Sequence, residues 1–282
     1  MDAARLEAAY AHCDAELKRH DHDRWLADLF LPESCRRHAH ALHAFSHEVA
    51  RVRESVRDAL PGEVRLQWWV DAIEGETRGD VTAHPVAAAL LDTIRRFSLR
   101  RSGLVALVEA RRFDLYDDAM PTLTDLEGYA GETASVLFQQ VALLLDADAG
   151  RAAADASGHA GVAYALTGLM RALPLTARRN QVFLPLDLLG QHGLTADDVR
   201  AGQAGPELDA VLADVRAIAT RHLDTARREV QALPPTLRPA FAGLGLVRPY
   251  LKRLARAAAF GPPVDLPAWR KPIQLWSFAR RF

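Results

Sequence analysis

The chain has 282 residues, of which 49% are apolar and 25% charged, with a formal net charge of −1. That length and apolar content are enough to fill a sizeable core. A near-neutral balance gives no whole-chain footprint for nucleic acid or another polyanion, so any basic surface has to be local.

Apolar positions recur at helical spacing along almost the whole chain, and alternating strand-like runs are scarce. The pattern predicts an all-α protein with helices at about 2–20, 34–59, 63–78, 85–99, 102–117, 125–146, 150–173, 196–201, 207–231 and 236–258. The opening, Met-Asp-Ala-Ala-Arg-Leu-Glu, has no apolar signal core, and no run approaches the roughly 18–20 apolar residues that span a bilayer. The expectation is a soluble or peripherally bound chain. Cys13 and Cys35 are too few for a disulfide framework and lack metal-motif spacing, so they read as reduced thiols.

The first helix closes on His20-Asp-His-Asp23, which reads as a polar helix end. The second carries His40, His43 and His47 on one face, a spacing that could present imidazoles to a transition metal, although no further ligand is identifiable. Pro61-Gly62 punctuates the path to the third helix, where Trp68 and Trp69 suit core packing or, less simply, the wall of an apolar tunnel. Pro121 precedes Thr124-Asp-Leu-Glu127, which reads as a capping box. Pro174 should stop or kink its helix. Thr195-Ala-Asp-Asp198 is a second box, set after Gly193, and Pro234-Pro235 and Gly261-Pro262-Pro263 mark later breaks.

No break is long enough for a flexible linker, so residues 1–282 read as one domain with a basic, aromatic tail at about 264–282. The tail sets Arg270, Lys271, Arg280 and Arg281 among Trp269, Leu275, Trp276, Phe278 and Phe282. An interfacial anchor on anionic lipid, a docked terminal helix and a partner-binding arm all fit it.

Two segments carry a resemblance. Residues 163–185 keep Leu166, Thr167, Arg171, Arg178, Leu184 and Pro185 in the frame of the second aspartate-rich segment of the squalene/phytoene synthase family. Ala172, Leu175 and Thr176 stand where that segment has acids. Residues 41–54 are similar to the first segment, with Ala50, Arg51 and Glu54 at its aspartate positions.

A divergent branch of the family, typified by mitochondrial complex I assembly factor 6, is similar in further places. These are Leu29 to Ser34, the Ala44-Phe45, Glu48, Ala50 and Val52 run, the Tyr129-Ala130, Thr133 and Ser135 run, and Val182 to Asp187 with His192-Gly193.

The resemblance implies the isoprenoid-synthase helical fold around a central cavity. It also implies a non-catalytic relative that assists assembly of respiratory complex I, with complex I subunits or assembly intermediates as partners. Its place would be cytoplasmic or peripheral on the inner face of the cytoplasmic membrane.

The family chemistry ionises an allylic diphosphate with Mg²⁺ ions that need several hard oxygen ligands. Without the acids no catalytic or metal residue is assigned, and no cofactor is expected. Mg²⁺ belongs only to the alternative, a head-to-head prenyltransferase making squalene or phytoene, for which Glu48, Glu54, Glu132 and Asp114 would have to supply ligands. A lipid or isoprenoid carrier is a third reading.

Arg51, Glu54, Arg171 and Arg178 are the candidate substrate- or lipid-binding residues, with Arg179 adding positive charge beside them, since guanidinium can hold a phosphate without metal; ion pairs or a solvated helix face account for the same arginines. No nucleic acid partner is expected.

Overall fold

A computed structural model describes residues 2–77 and 79–281. Arg78, the last residue of the helix expected at 63–78, and Phe282 of the tail lie outside the described residues.

Helix α1 (Ala3–His20) buries Ala9, Tyr10, Cys13 and Leu17, one face at helical spacing. Asp21 ends it and caps the short α2 (His22–Asp28), its carboxylate accepting from the Arg24 amide at 3.2 Å. That second helix is absent from the sequence expectation because seven residues are too few to show a period. Helix α3 (Glu33–Ala50) packs against α1 and against α5 (Pro85–Phe97), and its Phe45 is fully buried.

Helix α3 stops at Ala50, well short of the expected 59. Ser55 donates its hydroxyl to the Val52 carbonyl at 2.8 Å, which favours a short 3₁₀ turn over continued helix. Helix α4 (Ala59–Glu74) then begins before Pro61-Gly62, not after it. Proline is harmless in a first turn, where its missing N–H has no helical partner to lose.

Helices α6 (Arg101–Ala110), α7 (Leu123–Ala130) and α8 (Val136–Leu145) follow, the last two joined by a π turn at Gly131–Ser135. The α7 capping box is Thr122 with Asp125, two residues earlier than the sequence suggested, with both reciprocal bonds formed.

Helix α9 (Ala154–Ala177) passes through Pro174 and ends three residues later. Proline there costs about 3 kcal/mol of helix. Met170, Leu173, Pro174 and Ala177 are all buried, so the tertiary core holds the turn that the local sequence opposes.

Helix α9 also runs close against the π turn. A Cβ added at Gly161 would lie 2.2 Å from the Ser135 amide nitrogen, so only glycine permits this approach.

The segment Val182 to Asp187 lies beside 119–123, with Met120 N–H donating to Val182 O and Leu186 N–H to Met120 O, both at 2.9 Å. Helices α10 (Leu186–Gln191) and α11 (Ala196–Arg200) lead into α12 (Pro206–Ala232); α11 starts on the expected Thr195–Asp198 box. Helix α12 packs along α9 and closes the larger apolar core. Helices α13 (Leu244–Leu254) and α14 (Arg270–Ala279) form the far corner with α2. The tail is thus a docked helix, with Lys271, Leu275 and Phe278 turned inward.

Candidate functional site

Where α3 ends, the turn at 51–55 and the face of α4 leave a cleft of about 520 Å³. Trp68 and Trp69 form its aromatic floor, with ring centroids 5.0 Å apart and Trp69 packed on Phe45 at 5.2 Å. His84, the N-cap of α5, lies 5.3 Å from the Trp69 ring and accepts the Ala87 amide at Nδ1. Burial holds the His84 pKa below its ordinary value, with Glu48 partly opposing that shift.

The rim carries Arg51, Arg65, Glu48 and Glu54, and Arg65 donates to Ser55 Oγ at 2.5 Å. An aromatic floor beside two guanidinium groups can receive a ligand with an apolar body and an anionic end.

The two resemblance segments meet at this edge of the molecule. Arg179, just past the end of α9, donates to Glu54 at 2.7 Å, and Arg51 lies 3.8 Å from the same carboxylate. A guanidinium–carboxylate pair therefore joins the places where two acidic segments would face each other. Ala172, Leu175 and Thr176 offer no carboxylate, and Thr176 directs its hydroxyl back to the Leu173 carbonyl.

One engaged carboxylate does not fit the demand of a magnesium–diphosphate cluster for several oxygen ligands. Among the described residues, no three His, Cys, Asp or Glu side chains are grouped to hold a metal ion.

The other sequence candidates lie elsewhere. Arg171 reaches Asp23 at 3.4 Å and the Val264 carbonyl at 3.0 Å, and stacks on Tyr250 at 3.8 Å. Arg178 is exposed at the C-cap of α9. Of the four candidates, Arg51 and Glu54 share the cleft, whereas Arg171 and Arg178 do not line it.

Asp114 is buried against Arg111 at 3.0 Å and the Tyr129 hydroxyl at 2.8 Å, and Glu132 is exposed in the π turn. His43 pairs with Asp28 at 2.8 Å and His40 with Asp14 at 3.1 Å, while His47 stacks on His20. These histidines serve polar and ring contacts inside the fold.

Sequence reasoning placed Arg179 among the arginines at the cavity mouth but missed its partner Glu54, and it missed His84 altogether. The Arg179–Glu54 pairing depends on the fold. His84 precedes a proline at a helix start, a recognisable capping position, but its nearness to the tryptophans is tertiary.

Residues 17–276 match the squalene/phytoene synthase family. The chain belongs to that family. Complex I assembly factor 6 of Rattus norvegicus is 32% identical over 281 residues, covering 97% of this chain and 83% of the rat protein. The 15-cis-phytoene synthase of Synechococcus elongatus is 24% identical over 290 residues, covering 96% and 92%. The crystal structure of a dehydrosqualene synthase superposes with a TM-score of 0.78 at 18% identity, covering 98% of this chain and 97% of that one. That last likeness establishes the helical fold of this squalene/phytoene synthase relative and nothing about its chemistry.

Proposed function

We propose that this squalene/phytoene synthase relative assists assembly of respiratory complex I and does so without prenyl transfer, working in the cytoplasm or at the inner face of the cytoplasmic membrane. The observation that carries the non-catalytic part is that Glu54 is the one carboxylate left at the six acid positions of the two segments, and that it faces Arg179 instead of a second acidic segment. Identity with an assembly factor over nearly the whole chain supports the assembly part. Subunits or intermediates of complex I are the proposed partners.

The test is deletion in the source organism, followed by assay of NADH:quinone activity and isoprenoid content. Loss of the first with the second intact is the expected result. In parallel, the purified protein is incubated with farnesyl or geranylgeranyl diphosphate and Mg²⁺. Clear C30 or C40 product would overturn the reading in favour of the head-to-head prenyltransferase.

A second reading rests on the Trp68–Trp69 floor beside Arg51 and Arg65: the cleft holds a lipid or isoprenoid phosphate as cargo. Arg171 and Arg178 would lie outside that contact. Native mass spectrometry of the purified protein detects such a ligand, and its absence from both wild type and lipid-soaked samples sinks the idea.

A further inference from the structure

Helix α14 has three distinct sides. Lys271, Leu275 and Phe278 recur at i, i+4 and i+7 and face the protein. Trp269, Ile273 and Trp276 recur at the same spacing on the opposite side and are 64%, 51% and 53% exposed. Arg270, Gln274, Ser277 and Arg281 fill the flank between these two sides and face a groove of about 430 Å³ against α13.

The groove is a cationic one. Arg227, Arg248, Lys252, Arg253, Arg270 and Arg281 line it, and among the described residues no acid does. Among the described residues, only Arg248 of these six lies within ion-pair distance of a carboxylate, that of Asp224, which also acts more weakly on Arg227. Burial and the charges of Arg248 and Arg281 hold the Arg227 pKa below its ordinary value, a sign of cations crowded together. Such a cluster in a chain of formal net charge −1 leaves the remaining residues with a net negative charge.

The groove floor is built at close range. A Cβ at Gly245 would lie 2.9 Å from Phe278 Cβ and 3.1 Å from the Gln274 carbonyl oxygen, so α13 and α14 are fixed relative to each other. Arg270 lies over Trp269 at 4.9 Å and Arg280 over Trp276 at 4.6 Å, which sets guanidinium groups beside the exposed rings.

We infer that the α13–α14 corner is a docking surface for an anionic phospholipid bilayer, with Trp269, Ile273 and Trp276 entering the interface and the neighbouring arginines meeting lipid phosphates. Two independent features converge on that occupant. Indole rings settle at headgroup depth, and a basic flank beside them is drawn to negative lipid charge. No helix among the described residues is long and apolar enough to cross a membrane, so contact through this corner is interfacial. The inference deepens the membrane-face location proposed above but does not need complex I.

The experiment is co-sedimentation of the full chain with vesicles of phosphatidylcholine alone or with about 30 mol% phosphatidylglycerol, at about 50 mM and about 500 mM salt. The expected result is binding to the anionic vesicles at low salt, with a blue shift of tryptophan emission. Arg253→Gln, Arg270→Gln and Arg281→Gln together lower partitioning roughly a hundredfold. Trp269→Ala with Trp276→Ala abolishes the blue shift, and all five residues are exposed, so circular dichroism should confirm intact folding.

No sedimentation with anionic vesicles at low salt overturns the inference, as does equal binding to neutral vesicles that neither variant changes. Competition by inorganic phosphate at equal phosphate concentration would reduce the surface to an anion site. Tighter binding to a single-stranded oligonucleotide, unaffected by the tryptophan variant, would replace the bilayer with nucleic acid. Since no complex I subunit is present, failure here leaves the assembly reading to its own deletion test.

Discussion

Two clusters of arginine, lysine and carboxylate divide this molecule, and burial separates what each does. At the α2–α13–α14 corner, Asp23 is 8% exposed and receives Lys271 at 2.8 Å, the Tyr250 hydroxyl at 2.6 Å and Arg171 at 3.4 Å. Asp265 shares the same lysine at 2.8 Å. Burial alone would pull the Lys271 pKa down, but the hydrogen bonds and charges of Asp23 and Asp265 outweigh it and leave it raised.

At the cleft edge, Glu54 and Arg179 make a comparably short bond while both remain largely in water. The first cluster locks the terminal helix in place; the second can open at little cost. Similar bond lengths therefore say little about strength until solvent is counted.

The largest contrast should come from truncating the buried lysine. Lys271→Ala leaves Asp23 enclosed with part of its compensation gone, and the expected loss is about 3–5 kcal/mol in urea denaturation. Trypsin should then cut more readily at Arg270 and Arg280, the two ends of α14. A loss within the range of a surface pair would mean that water reaches Asp23 freely.

Charge kept out of a buried site is an intermediate case. His38 is 3% exposed, with the Tyr10 hydroxyl and Thr93 Oγ1 each at 2.9 Å, and Arg37, Arg96, Asp92 and Glu7 are the charged groups near it. Burial, reinforced by Arg37, pushes its pKa down to about 4 from 6.5. A depressed histidine favours the neutral native state, so its contribution is complete above pH 6.5 and is lost as pH falls toward 4.

His40, His47 and His84 shift in the same direction, mainly through burial. Against that shared background, His38→Gln should flatten the stability profile between pH 7 and 4 by about 1–3 kcal/mol. Parallel profiles for wild type and variant would show that His38 protonates without penalty.

The smallest effect belongs to the cleft. A double-mutant cycle on Glu54→Ala and Arg179→Ala should give a coupling of about 0.2–1 kcal/mol that shrinks at high salt. A coupling above about 2 kcal/mol would place the pair in a far drier environment than its exposure indicates.

Much of the candidate site was legible in the sequence because losing acids is a change of residue type. Ala50, Arg51, Ala172, Leu175 and Thr176 announce the loss of metal ligands wherever the chain places them. What replaces the acids was not legible. Arg179 finds Glu54 across 125 positions of sequence, whereas Arg171, which the family frame singled out, turns toward the tail. The tail itself left anchor, docked helix and arm equally open, since its period does not say which face has a neighbour. Docking of Lys271, Leu275 and Phe278 settles that and leaves the tryptophan face outward.

By itself, the sequence determined the all-α class, the existence of the main helices and the emptied acid positions, because periodicity and side-chain chemistry are local properties. Only the tertiary structure decided that α9 continues through Pro174, that α4 begins ahead of Pro61, and which arginines are buried, paired or free to meet a ligand. Those outcomes depend on burial and on partners distant in the chain, whose energies of a few kcal/mol override local preferences.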